Sequence, residues 1–383
     1  MQSLALLVMV PLALVTVGCS APEPGAGAGG AGTTSATSSS ATSGWGPGGS
    51  GGEGGVGGEA GAGGGGGMGD SGAGGSCDGS GEPLPAAPTP FTLGGQQAWA
   101  HDEGFASGYF HTYDALDVGG AGARKVHVFL PRDYGSSCVQ YPVVYMNDGD
   151  TTFWPGSVGK TWDVAARLAE LYAEGAIPQV IVVAVHPLAR DREYTHAEFA
   201  PNRVCCGVSS YADYLADRVK GFIDANYRTR REREVTAIVG SSHGGLGAFL
   251  VGALRSESFG LVGSLSPSFW VGLDAVHGGA YTGGALASSA LLDLTGAALG
   301  NPAMRPRVWI DWGLVRSGGF HNAEIEAAAT TRGQEMVTLL GASFGYGAGE
   351  LAWNEDPQGE HDELSWSRRF PEVMKFFYGT SSP

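Results

Sequence analysis

Cysteine is scarce in this chain, and positive charge is scarcer than negative. There are five cysteines in 383 residues, none in a Cys-x-x-Cys pair, and none of the nine histidines belongs to a His-Glu-x-x-His run. The ligand spacings of structural and catalytic zinc sites are therefore missing, and neither a metal nor a cofactor is expected. Lys and Arg number 22 against 38 Asp and Glu, a net charge of −16. Such a surface repels phosphate backbones and anionic bilayers, which argues against nucleic acid or a charged membrane face as partner. Long apolar runs are also rare. Met1–Gly18 is the one stretch of signal length, and no continuous apolar span follows it.

That first run ends in Thr16-Val17-Gly18-Cys19. It looks like a lipoprotein signal with Cys19 as the lipidated residue, although it lacks a basic start and carries Thr16 where such signals usually have Leu. An ordinary secretory signal is the alternative. Residues 20–81 are almost all Gly, Ala, Ser and Thr, and no apolar period survives there to drive folding. As a random coil this linker would hold its ends roughly 40–50 Å apart, enough for a tether. The remaining residues, 82–383, suffice for one large domain. The expected location is the bacterial cell envelope through a lipid on Cys19, or secretion, and the membrane is expected as a partner only through that lipid.

Within 82–383, apolar strands alternate with helical periods. Strands are expected at 125–130, 141–147, 179–185, 234–239 and 307–311, and helices at 161–174, 211–226, 244–254, 324–340 and 370–378. Continuous apolar strands alternating with helices predict an α/β fold, a mostly parallel sheet with helices on both faces.

The stretch VTAIVGSSHGGLGA (235–248) is where chemistry is expected. A strand runs into Gly240-Ser241-Ser242-His243-Gly244 and a small-residue helix follows at once, which puts Ser242 on a sharp strand-to-helix turn with its hydroxyl lifted clear. A second Gly-x-Ser-x-Gly at 48–52 lies in the linker and has no strand before it. A serine nucleophile needs a base near the C-terminal end of such a chain. His361, in GEHDELSW just before the last helix, is the candidate, with His321 in reserve. His243 is not nominated as base; its backbone N–H is the expected oxyanion donor. The second donor is expected from the backbone N–H of Asp150, in the loop after YPVVYMN.

These motifs resemble the esterase family of α/β-hydrolases that includes enterochelin esterases, feruloyl and acetylxylan esterases and mycolyltransferases. YPVVYMNDGD, IPQVIVVAV with Arg190-Asp191-Arg192-Glu193-Tyr194, TAIVGSSHGG, SLSPSFW and GEHDELSW stand in the family's order between about Lys125 and Tyr378. The resemblance implies an α/β-hydrolase fold and an exported serine esterase working through an acyl-enzyme. It also implies substrates such as siderophore trilactones or feruloyl and acetyl esters of polysaccharides.

The triad acid departs from the pattern. The family places Asp or Glu three residues after the glycine of RVWIDWG, and here that residue is Arg316. Three readings stay open: Glu324 swings in from a longer loop, Ser242 and His361 act as a dyad, or Asp311 serves from the strand end. Trp270 and Trp154, with Phe153 and Trp366, are candidates for the substrate pocket, although core packing accounts for them equally well. Beyond Cys19, a direct bond between the neighbours Cys205 and Cys206 is expected to be strained, so one of them is expected to pair with Cys138 or Cys77. Two other functions use the same features: an acyltransferase that excludes water, and a non-catalytic binding module that has lost its acid. The linker alone suggests a weaker third, a surface adhesion or structural lipoprotein.

Overall fold

The computed structural model describes residues 84–379 apart from Ser157 and 278–282. The expected signal segment, Cys19, the linker and Cys77 lie outside the described residues. Among those described, no helix is long and apolar enough to cross a membrane.

Ten strands form one sheet in the order β1-β2-β3-β4-β6-β5-β7-β8-β9-β10. They are β1 (Thr89–Leu93), β2 (Gln96–His101), β3 (Gly108–Leu116), β4 (Arg124–Pro131), β5 (Val143–Met146), β6 (Ile181–Val185), β7 (Thr236–Ser241), β8 (Leu261–Leu265), β9 (Arg307–Gly313) and β10 (Leu351–Asp356). From β6 to β10 every pairing is parallel, and from β1 to β6 every pairing is antiparallel. In the parallel part β5, β6, β7 and β9 correspond to strands read from the sequence and β10 was not expected, while the strand expected at 125–130 is the antiparallel β4. The antiparallel edge begins with a two-residue hairpin at Gly94-Gly95, both at positive φ (56° and 77°), which such a turn requires.

Side chains alternate across the sheet with period two, and the helices cover both faces. Val143, Tyr145, Val183 and Ile238 face one core, packed by Leu215, Val219, Phe249, Leu291 and Met336. Val144, Met146, Val182 and Val239 face the other, packed by Leu168, Leu171, Phe370, Val373 and Phe377. The second face carries α2 (Val164–Ala173) and α9 (Glu363–Tyr378). The first carries α4 (Val208–Asp213), α5 (Lys220–Asn226), α6 (His243–Leu254), α7 (Ala290–Leu299) and α8 (Ala327–Ala342). Two short helices, α1 (Gly149–Thr152) and α3 (Arg190–Tyr194), follow β5 and β6 at their carboxyl ends. Two π-helical stretches interrupt this layer: Tyr214–Val219 joins α4 to α5, and His321–Glu326 leads into α8. Insertions of this kind often mark functional positions.

One expectation is corrected here. Cys205 and Cys206 are bonded to each other, with Cα atoms 3.8 Å apart, and neither pairs with Cys138, which is exposed. The backbone accommodates the neighbour pair by taking Cys206 to φ 74°.

Candidate functional site

β7 is buried along its whole length and ends one residue before Ser242. Ser242 has φ 54° and ψ −124°, strained backbone for a residue with a Cβ. Three hydrogen bonds hold it there: its N–H donates to the Leu265 carbonyl at 3.0 Å, and its carbonyl accepts from Leu246 (3.0 Å) and Ser268 (3.1 Å). The flanking glycines are required by space. A Cβ on Gly240 would collide with the Gly244 carbonyl, and one on Gly244 would lie 2.6 Å from Asp148 Oδ2.

His361 is buried in the loop before α9, and its Nε2 lies 2.9 Å from Ser242 Oγ. Its backbone N–H donates to Asn322 Oδ1 at 2.8 Å, and its ring meets the Trp366 ring edge-on at 5.2 Å. Its Nδ1 lies 2.5 Å from an oxygen of Glu326, which the sequence reading did not name. Glu326 is fully buried. Its other oxygen accepts from Ser266 Oγ at 2.9 Å and from the Gly313 N–H. Burial alone would raise the Glu326 carboxyl, but the hydrogen bond and charge of His361, with Arg369 and the Gly313 N–H, hold it below the ordinary range.

The contact with His361 expected of Glu324 is thus made by Glu326 instead. Both belong to the π-helical turn, and residues two apart on a helix point to nearly opposite sides. Glu324 is exposed and Glu326 is turned inward. The dyad reading falls with the same observation. Asp311 does not touch His361. It is fully buried with Arg369 Nε at 3.2 Å and Trp309 Nε1 at 2.9 Å, and burial pushes its carboxyl up to about 6. Arg369 in turn donates to Ser266 Oγ at 2.8 Å, so Asp311 stands behind Glu326, two hydrogen-bonded groups removed. Arg316 fills the position where an acid was sought. Its guanidinium donates to the Gly313 and Val315 carbonyls and to Thr330 Oγ1, which ties the loop to α8.

The loop after β5 closes over the elbow. Asn147 Nδ2 donates to the Gly244 carbonyl at 2.8 Å, and its Oδ1 accepts from Tyr211 at 2.8 Å. Asp148, at φ 56°, is gripped by Arg190 through two bonds of 2.8 and 2.9 Å, and its N–H donates to the Tyr194 hydroxyl at 3.0 Å. These residues stand in motifs quoted above, but their pairing needed the third dimension. Asp150 follows in α1, and it and His243 both line the cavity that opens at Ser242. The His243 ring is buried with its Nδ1 3.0 Å from Ser268 Oγ. Burial pushes its basicity well below the ordinary histidine range, so it is no candidate for a base. His321 lines the cavity too, with its ring centroid 6.1 Å from that of His361.

The cavity holds about 660 Å³. Its cations are all paired with acids: Lys160 with Asp362 (2.8 Å), Arg190 with Asp148, and Arg203 with Asp191 (3.0 Å). The aromatic expectation needs correction. Trp366 lines the cavity, but Trp270 and Trp154 do not. Trp270 is fully buried, its ring 5.4 Å from that of His243 and 6.2 Å from that of Phe199. Trp154 packs on Phe110 at 4.8 Å and His127 at 4.9 Å, and Phe153 is a core residue beside it. Among the described residues no group of three His, Cys, Asp or Glu side chains is arranged to hold a metal ion.

The chain is 27% identical over 156 residues to the uncharacterized protein YbbA of Bacillus subtilis, covering 39% of this chain and 59% of that protein. It is 29% identical over 153 residues to an endo-1,4-beta-xylanase/feruloyl esterase of Xylanibacter ruminicola, covering 37% of this chain and 19% of that protein. The chain thus matches about three fifths of one relative and a fifth of the other. Among solved structures, an IroE-like serine hydrolase from Shewanella oneidensis superposes with a TM-score of 0.51 at 19% identity, over 70% of this chain and 80% of that one. This likeness shows the shared α/β-hydrolase fold. The family described as Putative esterase matches residues 121–377, and the chain belongs to that family of esterases.

Proposed function

We propose that this esterase is a serine hydrolase of carboxylic esters. Ser242 Oγ attacks the ester carbonyl, His361 Nε2 takes the hydroxyl proton, and the backbone N–H groups of His243 and Asp150 hold the oxyanion. His361 then gives its proton to the departing alcohol and an acyl-enzyme remains. Water attacks the acyl carbon, with His361 again as base, and the carboxylic acid leaves as Ser242 regains its proton. Glu326 holds the Nδ1–H tautomer of His361 and stabilises the imidazolium in each half. The observation that carries the reading is the unbroken contact from Glu326 Oε2 through both nitrogens of His361 to Ser242 Oγ. It also weakens the case for a binding module that has lost its acid, since Arg316 was the motive for that reading.

The substrate is proposed more broadly. The name of the Xylanibacter ruminicola relative suggests feruloyl esters, and the family resemblance adds acetyl esters and siderophore trilactones. Export, with a lipid on Cys19 as tether, completes the proposal and rests on the sequence alone. The test is release of p-nitrophenol from its acetate and butyrate by the full chain beside Ser242→Ala. Turnover that vanishes in the variant, with fluorophosphonate labelling of the wild type alone, supports the mechanism. A folded wild type that neither turns over nor labels would overturn it.

A further inference from the structure

A second hydrogen-bonded run of imidazoles crosses the antiparallel half of the sheet and ends in the same cavity. Glu103 Oε1 lies 2.9 Å from His101 Nδ1, and His101 Nε2 lies 2.8 Å from Thr112 Oγ1. Thr112 Oγ1 is 2.8 Å from His127 Nδ1, and His127 Nε2 is 3.1 Å from His186 Nε2. Strand register builds the run. His101 pairs with Phe110, and Thr112 stands two residues further on the same face. Thr112 pairs directly with His127, and His127 pairs with Ala184, two residues before His186. The far end is exposed at Glu103, the middle is buried at Thr112 and His127, and His186 lines the cavity beside Asp150.

The polarity of such a run follows from counting protons. A carboxylate only accepts, a hydroxyl donates once, and a neutral imidazole donates at one nitrogen and accepts at the other. With His101 neutral, its proton must sit on Nδ1, facing Glu103. Its Nε2 then accepts from the Thr112 hydroxyl, Thr112 accepts from His127 Nδ1–H, and His127 Nε2 accepts from His186 Nε2–H. That leaves His186 Nδ1 bare, an acceptor. With His101 protonated, the bond to Glu103 keeps its direction, His101 Nε2–H donates to Thr112, and every bond beyond His101 reverses. His127 Nε2–H then donates to His186, which carries its proton on Nδ1 and becomes a donor there. Among the described residues the side-chain hydrogen bond of His186 is made through Nε2, and His186 lines the cavity, which leaves Nδ1 for a ligand.

We propose, on the esterase reading, that His186 is a specificity-determining residue whose Nδ1 accepts from or donates to the substrate according to whether His101 is neutral or protonated. The interior resists charge, so the tautomers change and the net charge there does not. Burial, and then the charges of His186, Lys125 and His101, push His127 down to about 3. His186 is lowered by burial and by Lys125, against the opposing pull of Asp150 and Asp148. His101 is faced by Glu103, by Asp102 with its partner Arg132, by His111 and His127, and by the stacked rings of Phe110 and Trp154. With His101 neutral, Nδ1 is an acceptor, and the Asp150 carboxylate is another on a residue lining the same cavity. That pairing selects esters bearing a hydroxyl or another hydrogen-bond donor. With His101 protonated, an ether or carbonyl oxygen is accepted equally well.

The test uses the full chain labelled with 15N-histidine, with His186 assigned by the signal lost in His186→Asn. Along a pH titration, long-range proton–nitrogen correlations should show the Nε2–H tautomer of His186 wherever the His101 ring signals are those of the neutral imidazole and the Nδ1–H tautomer wherever they are those of the cation. Thr112→Val should break that link, and Thr112→Ser should keep it. One tautomer in both states of His101, or a His186 that becomes a cation by itself, would overturn the proposal. The matching kinetic readout is the ratio of kcat/KM for 2-hydroxyethyl against 2-methoxyethyl butyrate, in which the pH dependence of the shared chemistry cancels. The ratio should fall from about tenfold, the worth of one neutral hydrogen bond, towards one as His101 is protonated. A ratio that ignores pH overturns the specificity role. Fluorophosphonate labelling of Ser242 separates the two failures, since the tautomer measurement needs no turnover.

Discussion

The molecule contains two runs that begin at a glutamate and pass through imidazole, and they lie in opposite halves of one sheet. In the parallel half, Glu326 meets His361, and His361 meets Ser242, all within a few ångströms and with the carboxylate fully buried. In the antiparallel half, Glu103 begins a longer run through His101, Thr112 and His127 to His186, and its carboxylate is exposed. The difference is one of what is fixed. Glu326 also accepts from Ser266 and the Gly313 N–H, so its ionised form has three partners and a single orientation. Glu103 has water as an alternative partner. A buried carboxylate locks a tautomer, whereas an exposed one lets the tautomer follow the solvent.

The strongest way to break the comparison is the same substitution at the buried end. Glu326→Gln should lower kcat/KM by about 10³–10⁴-fold, because an amide can donate to Nδ1 and so favours the wrong imidazole tautomer. Glu324→Gln should stay within about twofold, since that side chain faces solvent. Hydrolysis of p-nitrophenyl butyrate by the two variants side by side decides between them. A large loss at Glu324 with none at Glu326 would reverse the assignment.

The support behind the buried end comes next. Asp311→Asn leaves the Arg369 guanidinium, itself buried, without its counter-charge. Removing one partner of such a pair costs about 3–5 kcal/mol, which denaturant unfolding at pH 7 should register. Activity should fall far less than in Glu326→Gln, because Asp311 reaches the imidazole only through Arg369, Ser266 and Glu326. A catalytic loss equal to that of Glu326→Gln, with unfolding unchanged, would make Asp311 the acid after all.

Acid should erase the special standing of Glu326. Its folded-state pKa is depressed, so its ionisation contributes stability that is fully present above the ordinary glutamate value of 4.5 and is lost as pH falls through the lowered value. The stability gap between wild type and Glu326→Gln should therefore be widest at pH 6–7 and narrow towards about pH 3. Guanidinium unfolding at three pH values measures it. A gap that widens on acidification would mean a carboxyl held neutral in the fold.

How much of this could be read from the sequence divides along similar lines. Ser242 and His361 were legible because backbone pattern marks them: a buried strand into a glycine-flanked turn, and a polar loop before the last helix. Glu326 was not. It stands thirteen residues beyond Gly313, and the length of the intervening loop and the π-helical turn decide which glutamate points inward. No local pattern separates it from Glu324. Trp270 and Trp154 failed as pocket residues for a related reason, since proximity in sequence to a motif says nothing about which side of the sheet a ring enters. The Cys205–Cys206 bond escaped because the expectation weighed the cost of closing a neighbour pair and not the left-handed backbone that accommodates it. Of the antiparallel part, the strand expected at 125–130 is β4, but β1, β2 and β3 were missed. Two are half-exposed and polar, and their register, which builds the second imidazole run, is a property of pairing and not of either strand alone.

The smallest expected effect is also the sharpest contrast. Glu103→Gln repeats the substitution made at Glu326, at the exposed end of the other run. The amide offers His101 Nδ1 either an oxygen or an N–H, so a neutral His101 is no longer forced to point its proton outward. Stability should change by no more than about 0.5 kcal/mol, as for most surface substitutions, and turnover of p-nitrophenyl butyrate should stay within about twofold. The tautomer of His186 with His101 neutral should nevertheless become a mixture, and preference for the hydroxyethyl ester should weaken without disappearing. If His186 keeps a single tautomer in Glu103→Gln, then the run is polarised from the cavity end, where Asp150 faces His186, and the exposed carboxylate follows that polarity without setting it.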